Sequence, residues 1–503
     1  MKKIILLVTA VMAVTFSQAQ DITDALRFTT EELSGTARFR AMGGAFGALG
    51  GDLSSITVNP AGSAVFTTSY STVTLNYNRR GNDAGYFNNV NSHRNSGFDL
   101  DQAGAVLLFN STNPENRFNK FTLGFNYSQT NNFDDNFLAQ GRSNNSIDSY
   151  FLGYADGIPL ELLETVDNES ITDLYRYLGE NEGFGAQQAF LGYQGYIINP
   201  ESNTLDNTRY ISGIGSGTFD QQYNYASTGL NGKFAFNVAT EFNKALYFGA
   251  NLNAHFMNFD RSTSLRENNS NPGSETNEIL FQNNLSTTGA GFSFQAGTIA
   301  KIGENVRVGV AYESPTWFTV NEETTQRLDT YSIEFDESIA VNPNVVNVYP
   351  DYKLKTPSKL TGSLALILGT QGLISFDYSY KDHSNTEFRP TNDPEFMFLN
   401  DQMSENLRAA STMRLGGEYR IENWSLRGGY RIEESPYKNE VTIGELTGYS
   451  LGLGYNFGSI RLDLAYDNAT RIDNPQLYQV GLTNTARIER DLSSVILSLS
   501  FGI

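Results

Sequence analysis

Alternation of apolar and polar side chains is the feature that most constrains this sequence. From Ser71 to the C-terminus, segments of about ten residues alternate in this way and are separated by turn residues. The last segment places five apolar side chains on one face: Val495, Leu497, Leu499, Phe501 and Ile503. A soluble β-sandwich could use such strands, but their recurrence along most of the chain favours lipid as the partner of the apolar face. The sequence therefore predicts an all-β fold, a transmembrane antiparallel β-barrel.

The N-terminus has the organisation of a secretory signal peptide. Lys2 and Lys3 precede an apolar run, and Ser17-Gln18-Ala19 supplies the small residues of a cleavage site. The apolar run is too short for a membrane anchor, which needs about 20 residues. We therefore expect residues 1–19 to be removed as a signal peptide and the barrel to lie in a bacterial outer membrane.

Composition excludes several classes of function. The chain has no cysteine, so disulfides, thiolate metal sites and thiol nucleophiles are ruled out together. Its formal charge of −20 becomes −22 once the two signal-peptide lysines are removed, which argues against nucleic acid as a partner. Mean hydropathy is −0.35 and no second long apolar run exists, which excludes a helical inner-membrane protein.

The alternation of short and long connections predicts the topology. In outer-membrane barrels the short turns face the periplasm and the long loops face outward. Counting starts from an ascending strand at Ser71–Arg79, continues through Gln102–Asn110 and a turn near Pro114, and rises again at Asn119–Thr130. It ends at about fourteen strands, an even number that closes the barrel. The expected parts are an N-terminal hatch at 20–66, a barrel at 67–503 and a long extracellular insertion at 131–226.

The segment before the first strand does not read as a strand pair. Gly35–Gly51 is rich in small residues, and its glycines are interspersed with larger apolar residues such as Met42 and Phe46. This composition permits close backbone packing, so we expect a compact hatch inside the barrel lumen. A phosphate-binding loop is excluded, since no GxGxxG or GK[ST] motif and no βαβ context is present.

Short motifs in the hatch and in the later strands carry a family resemblance. The hatch contains Arg40-Ala41-Met42-Gly43-Gly44-Ala45-Phe46, followed by Asn59-Pro60-Ala61-Gly62. Later stretches of the same style are Arg307 to Phe318, Lys355 to Lys359 with Phe376-Asp377-Tyr378, Leu426 to Tyr430, and Ser450 to Tyr455. By their position and order, these motifs resemble the FadL/TodX (OmpP1) family of outer-membrane transporters for hydrophobic compounds.

The resemblance implies a fourteen-stranded barrel with an N-terminal hatch, which agrees with the strand count. It also implies that hydrophobic molecules, such as long-chain fatty acids, are captured by the outer loops, held in a pocket against the hatch and released sideways into the bilayer. The hatch motif Asn59, Pro60, Ala61 and Gly62 is the site carried over residue by residue. The family's lateral opening lies at a kink in an early strand. The third strand here contains Gly124 and no proline, so the sequence leaves that opening unplaced.

The expected partners follow from the same resemblance. They are a hydrophobic small-molecule ligand, outer-membrane lipid and lipopolysaccharide, and the barrel-assembly machinery. We expect a monomer with no cofactor and no metal.

Charged residues occupy polar positions on several strands. Those expected to form a polar network in the lumen are Arg307, Asp377, Arg414, Glu418, Arg427 and Asp463. Their role is either to satisfy one another's charge or, for an arginine, to bind a ligand carboxylate. In the insertion, Ile158–Leu178 has apolar residues at near-helical spacing, which predicts either a ligand-capturing segment or a helix that packs on its own loop.

Three other functions compete with transport. A role in protein secretion or assembly is the main alternative, because some members of this family act as protein shuttles. An enzyme would need a histidine beside an acid or a serine, whereas His93, His255 and His383 are scattered. The tripeptide Asp382-His383-Ser384 is no triad, since adjacent side chains on a strand point to opposite faces. Haem uptake would need histidine or tyrosine ligands, and the loop tyrosines leave it open.

Overall fold

The computed structural model of the chain describes residues 21–113, 115–333 and 335–502. The predicted signal peptide, the turn at Pro114 and the last residue, Ile503, lie outside the described residues. None of the helices in these ranges has the length and apolar character needed to cross a membrane.

Fourteen antiparallel strands form a closed barrel, which confirms the predicted fold class. They are β1 (Tyr70–Tyr86), β2 (Asn89–Asn110), β3 (Phe118–Asn132 and Asp135–Ser143), β4 (Phe219–Phe242), β5 (Leu246–Asn268), β6 (Thr276–Ile302), β7 (Val306–Glu313 and Trp317–Ser332), β8 (Tyr352–Lys355 and Lys359–Leu368), β9 (Gly372–Asp382), β10 (Ala409–Ile421), β11 (Trp424–Glu433), β12 (Leu446–Asn456), β13 (Ile460–Asp473) and β14 (Arg487–Gly502). The strands β3, β7 and β8 each consist of two pieces. The first strand pairs with the last, beginning at Tyr70 opposite Gly502, and this seam closes the sheet.

Five short connections lie at one end of the barrel. Two residues join β10 to β11, and three residues each join β4 to β5, β6 to β7, β8 to β9 and β12 to β13. Most long connections leave from the opposite end, as the alternation of loop lengths predicted. The exception there is the connection of β1 to β2: the residues between Arg79 and Gln102 extend both strands, which a two-residue turn joins. The end with the short turns is the periplasmic one by the rule for outer-membrane barrels.

The outer face of the strands is an apolar band with aromatic edges. Side chains such as Leu464, Leu497 and Leu499 point outward and are exposed in the isolated chain. Aromatic residues stand at both limits of the band: Trp424 and Phe457 at the periplasmic edge, and Tyr77, Tyr430, Tyr449 and Tyr466 at the extracellular edge. Such aromatic belts mark the two membrane interfaces.

The hatch consists of short helices inside the lumen. They are α1 (Ile22–Thr29), α2 (Ala37–Ala41), α3 (Ser55–Val58) and a 3₁₀ helix (Pro60–Val65). Asp21 and Asp24 cap the start of α1 reciprocally, and Thr36 caps α2. Apolar hatch residues are fully buried against the wall, among them Met42 and Phe46.

Glycines on the strands give the hatch room to approach the wall. A Cβ atom on Gly309 of β7 would lie 2.3 Å from the carbonyl oxygen of Gly47. One on Gly249 of β5 would lie 2.4 Å from the backbone of Pro60, and one on Gly416 of β10 would lie 2.4 Å from Met42. Strand glycines often mark close backbone approach, and here they shape the surface on which the hatch sits.

The insertion between β3 and β4 forms a helical cap over the outer end of the lumen. Its helices are α4 (Asp148–Ala155), α5 (Ile171–Asn181) and α6 (Phe184–Gln194), and a further helix, α7 (Pro394–Asn406), lies between β9 and β10. The helical spacing predicted over Ile158–Leu178 corresponds to a short 3₁₀ helix (Leu160–Leu162) and most of α5. Phe151 and Phe190 of the cap pack with Phe281 of β6 in one buried cluster.

Candidate functional site

The hatch motif forms a capped turn tied to the barrel wall. Asn59 Oδ1 accepts a hydrogen bond from the N–H of Ala61 at 3.1 Å and so caps the 3₁₀ helix Pro60–Val65. Asn59 Nδ2 donates to the carbonyl oxygens of Gly47 at 2.7 Å and Thr298 at 3.0 Å. This one side chain therefore fixes the turn, the glycine-rich segment and β6 relative to each other.

The remainder of the motif bonds both to the barrel wall and to another part of the hatch. The carbonyl oxygen of Pro60 accepts from Asn237 Nδ2 of β4 at 2.9 Å, and that of Gly62 accepts from the N–H of Gly51 at 3.0 Å. A Cβ on Gly62 would lie 2.5 Å from Ser55 Oγ, so a larger residue here would have to displace the Ser55 side chain. None of the four motif residues lines the cavity described below. The motif positions the hatch, and ligand contacts must come from other residues.

A buried cluster of charges joins the hatch to the wall around Glu418. Arg38 Nε of α2 donates to Glu418 at 2.8 Å, and Arg427 Nε of β11 donates to the same carboxylate at 2.6 Å. Arg427 Nη1 also donates to Asp463 of β13 at 2.8 Å. The Glu418 and Arg427 side chains are fully buried and have lost their hydration. The charge of the partner compensates each of them for that loss.

Two further lumen residues hold the hatch through its backbone. Asp377 Oδ2 of β9 accepts from the N–H groups of Phe46 and Gly47, both at 2.9 Å. Arg307 Nη1 of β7 donates to the carbonyl oxygen of Leu49 at 2.7 Å. Five of the six predicted network residues thus bind the hatch or each other, and Arg414 alone lines the cavity above it.

The hatch itself supplies two arginines, Arg38 and Arg40, that were not among the predicted network residues. Arg40 Nε donates to Asp467 at 2.7 Å, and its Nη1 lies 3.3 Å from Asp101. Burial acts to lower the pKa of Arg40, but the two carboxylates outweigh it and raise the pKa above its ordinary value. The available signal was the pair of arginines at 38 and 40 in an otherwise small-residue segment.

A cavity of about 1540 Å³ lies between the hatch and the helical cap. Its floor includes Leu33, Phe39 and Val58 of the hatch. Its outer end is aromatic, with Tyr154 and Phe184 of the cap among the lining residues. Polar and charged side chains of the strands line much of the height between them, so the cavity is amphipathic.

One wall of this cavity combines hydroxyl groups with cations. Thr361, Ser379 and Thr412 are register neighbours on β8, β9 and β10, and the first two hydroxyls are 2.9 Å apart. Lys381 is the next lumen-facing residue after Ser379 on β9, and Arg414 is the next after Thr412 on β10. Because the two strands are antiparallel, Lys381 and Arg414 lie on opposite sides of the row of hydroxyls. Arg414 Nε is buried and has no hydrogen-bond partner among the described residues.

Arg431 extends this wall onto β11. It stands opposite Arg414 in the register and also lines the cavity, and its Nη1 lies 3.7 Å from Glu433. We call Thr361, Ser379, Thr412, Lys381, Arg414 and Arg431 the cationic wall. Hydroxyls and guanidinium groups in this arrangement are suited to an anionic headgroup.

The segment between α1 and α2 of the hatch is held by ion pairs, and we call its residues 30–34 the strap. Lys359 Nζ lies 2.8 Å from Glu31 and 2.7 Å from Glu313, and Lys233 Nζ lies 3.8 Å and 3.7 Å from the same two carboxylates. Burial acts to raise the pKa of Glu31. The ammonium groups of Lys359, Lys233 and Lys381 outweigh it and hold that pKa well below its ordinary value.

The barrel wall is open between β2 and β3 on the extracellular side. Pairing of these strands stops at Gln102 opposite Ser128. Above this level β2 pairs only with β1, and the second piece of β3, Asp135–Ser143, pairs only with β4. We call the space above the last β2–β3 pair the lateral gap.

Side chains bridge the lateral gap where the backbone does not. Asn132 Nδ2 donates to Asp99 at 2.9 Å. Arg80 Nη2 donates to the carbonyl oxygen of Asn132 at 3.1 Å and to Glu32 of the strap at 2.7 Å. Asn78 and Asp99 also line the large cavity, so the cavity extends into the gap. The break in β3 falls at Phe133, three residues beyond Thr130, where the alternation predicted the strand to end.

A comparison with protein families identifies the chain. The model of the family described as outer membrane protein transport protein (OMPP1/FadL/TodX) matches residues 203–496, more than half of the sequence. The chain belongs to the OMPP1/FadL/TodX family. The resemblance read from the hatch and strand motifs is thereby confirmed. This FadL/TodX protein is a barrel of the bacterial outer membrane that serves the transport of hydrophobic compounds, and it is not an enzyme.

Solved structures show the same fold for this FadL/TodX chain. A Pseudomonas aeruginosa FadL homologue is 13% identical, with 94% of this chain and 99% of that chain covered and a TM-score of 0.54. The Pseudomonas putida toluene transporter TodX is 12% identical, with 94% and 100% covered and a TM-score of 0.50. No curated protein matches the sequence.

Two histidines of this FadL/TodX protein have hydroxyl groups, not carboxylates, as hydrogen-bond partners. His255 Nε2 lies 2.9 Å from Ser293 Oγ, and His383 Nδ1 lies 3.4 Å from Thr29 Oγ1. Within the described ranges, no group of three histidine, aspartate or glutamate side chains is placed to hold a metal ion.

Proposed function

We propose that this FadL/TodX protein takes up long-chain fatty acids, or amphiphiles with a similar acidic headgroup, and releases them sideways into the outer membrane. The observation that carries the proposal is the cavity of about 1540 Å³, which runs from the aromatic cap to the hatch and into the lateral gap. An apolar ligand gains free energy when it is transferred from water to such a lining.

The cationic wall supports an acidic headgroup. Lys381, Arg414 and Arg431 all line the cavity, and Arg414 Nε is buried with no hydrogen-bond partner among the residues that the structure describes. A carboxylate placed between them would form charge-assisted hydrogen bonds, which contribute roughly 1.5–3 kcal/mol each. The acyl chain would then lie against Leu33, Phe39 and Val58 on the hatch.

The lateral gap supports release into the bilayer. It begins above the last β2–β3 pair, Gln102 with Ser128, and reaches Tyr77 and Phe98, a ring pair 4.7 Å apart at the extracellular edge of the apolar band. A ligand that leaves here enters the lipid at the membrane interface without crossing the hatch. Exit through the periplasmic end would instead require the hatch to move, against the ion pairs and glycine contacts described above.

Binding of a fluorescent long-chain fatty acid to the detergent-folded barrel tests the proposal. We expect saturable binding that is lost in a protein lacking Asp21–Val65. It should be weakened at least tenfold, which is a loss of about 1.4 kcal/mol or more, in the double variant Lys381→Gln, Arg414→Gln. The matched control is Arg142→Gln, which removes an exposed rim arginine paired with Asp220. Absence of binding to the folded native barrel, or equal binding by the double variant, would reject the proposal.

A role in protein secretion or assembly is the second candidate. The observation that favours it is the polar lining of the lateral gap, where Asn78, Asp99 and Asn132 stand in place of apolar side chains. Such a lining suits a polypeptide better than a hydrocarbon. A native barrel that binds no fatty acid but is retained by a secreted partner would favour this candidate over transport.

A further inference from the structure

The β2 strand has one long edge without a partner. Between Asn89 and Asp101 it pairs with β1 alone, and among the residues that the structure describes no strand pairs with the other side. Below this stretch, from Gln102 onward, the same side pairs with β3. The open stretch is roughly 40 Å long at about 3.3 Å per residue, and it begins at the membrane interface and rises away from it.

The hydrogen bonds identify which backbone groups are free. The N–H of Ser96 donates to Asn95 Oδ1 at 2.8 Å, so it points away from β1. In an antiparallel ladder, alternate residues direct both the N–H and the C=O to the same side. The free groups are therefore those of the even-numbered residues from Val90 to Leu100, whereas the odd-numbered residues bond to β1.

This edge lacks the protection that natural sheets give to exposed edges. Such edges are usually blocked by proline, by lysine or by a covering segment. Here proline and lysine are absent from Asn89–Asp101, and Arg94 is neutralised by an ion pair with Asp83 at 2.9 Å. Val90 and Phe98 point outward with 69% and 81% of their surface exposed.

The second piece of β3 does not cover the edge. It packs on the hairpin of β1 and β2, where Asn82 Nδ2 of β1 donates to the carbonyl oxygen of Asn136 at 2.7 Å. A Cβ on Gly141 would lie 2.6 Å from the carbonyl oxygen of Tyr86, also in β1. The second piece of β3 thus packs across the β1–β2 hairpin, in contact with both strands, and forms no ladder with the free side of β2.

We propose that this edge is a docking site for an extended segment of a partner polypeptide, which adds to β2 as an antiparallel strand. Only another extended backbone presents donors and acceptors at the spacing of a strand edge, so lipid and small molecules do not fit. A second copy in the same membrane has its β2 running in the same direction, so two β2 edges would pair in parallel, which is less stable. A docked strand would lie across the lateral gap, with apolar side chains beside Val90 and Phe98.

A peptide probe tests whether the edge accepts a strand. The probe is a labelled peptide with the sequence of residues 76–86, the segment of β1 that already pairs with β2 on its other side. We expect saturable binding to the full-length barrel, at least tenfold weaker for Ser96→Pro, which removes one free N–H, and unchanged for Ser96→Ala, which keeps it. Ser92→Pro replaces Ser96→Pro if that variant does not fold. No saturable binding, or equal binding by the proline variant, would overturn the proposal.

Photocrosslinking in producing cells tests the kind of partner. With p-benzoylphenylalanine in place of Ser92, we expect an adduct with a different polypeptide that disappears when Ser96→Pro is added and persists with Ser96→Ala. An adduct with the mass of two copies, or no adduct at all, would overturn the proposal. Neither readout involves fatty acid, so a failure here is distinguishable from a failure of the transport function.

Discussion

At the scale of single residues, Glu418 is the carboxylate on which the hatch and the wall converge. Replacing it in Glu418→Gln leaves the buried guanidinium groups of Arg38 and Arg427 without their shared partner. Removing one member of a buried ion pair typically costs about 3–5 kcal/mol. We expect a loss of that size in the free energy of unfolding, measured in urea through the fluorescence of the chain's two tryptophans.

Glu489 supplies the matched control for that measurement. It pairs with Arg487 at 3.2 Å, but both side chains are more than half exposed. An exposed pair contributes less than about 1 kcal/mol, so Glu489→Gln should unfold nearly as the native protein does. Similar losses in the two variants would show that burial of the Glu418 cluster does not stabilise the barrel.

Glu31 makes attachment of the strap dependent on pH. Its pKa in the folded protein is held well below the ordinary value, so its ion pairs stabilise the attached strap fully above the unfolded pKa of about 4.3. That stabilisation is lost as the pH falls through the lower, folded pKa. A spin label on Thr30→Cys, in a chain without native cysteine, should therefore be immobile at neutral pH and become mobile only in strong acid.

Two variants decide whether Glu31 is the group responsible. With Glu31→Gln the label should be mobile at every pH, because the amide cannot form the ion pairs. With Glu395→Gln, on α7, the native pH dependence should remain. A label that stays immobile in Glu31→Gln would assign attachment of the strap to its backbone contacts instead.

At the scale of elements, the lumen-facing glycines decide whether the hatch fits. In Gly309→Val the side chain would collide with the carbonyl oxygen of Gly47, so we expect the hatch to shift and the ion conductance of the barrel in planar bilayers to rise. Gly362→Val is the control, since a Cβ there meets no atom within 4 Å. Equal conductance in the two variants would mean that the hatch absorbs the added side chain.

The lateral gap makes a separate prediction about release. Joining Asp99→Cys and Asn132→Cys with a short thiol crosslinker fixes β2 to β3 where the two native side chains are hydrogen-bonded. We expect the crosslinked barrel to bind fatty acid normally but to deliver little of it into liposomes, with recovery after cleavage of the linker. Undiminished delivery by the crosslinked protein would place the exit elsewhere.

The same elements show what the sequence can and cannot predict. Alternation predicted the number of strands, but it started β2 at Gln102, although the strand runs from Asn89. The missed part lies largely beyond the apolar band, so neither of its faces has to be apolar to meet lipid. The helix α7 and the break in β3 at Phe133 were likewise missed, because tertiary contacts rather than local pattern define them.

At the scale of the whole molecule, the polar lumen residues were predictable as a class but not in their roles. Alternation identifies inward positions such as Asp377, Arg414 and Glu418, since charge is excluded from lipid. It does not tell which of them will meet the hatch, because the path of the hatch through the lumen depends on backbone contacts such as that of Gly309 with Gly47. Arg38, Arg40, Lys381 and Arg431 were overlooked for the same reason.

The glycine contacts also constrain the order of events during biogenesis. The hatch touches β5 at Gly249, β7 at Gly309 and β10 at Gly416, so its final packing requires all three strands to be in place around it. The hatch precedes β1 in the chain, so it emerges from the secretion pore before any strand that it contacts. Its packing is therefore one of the last steps of assembly, although its residues are among the first to be delivered.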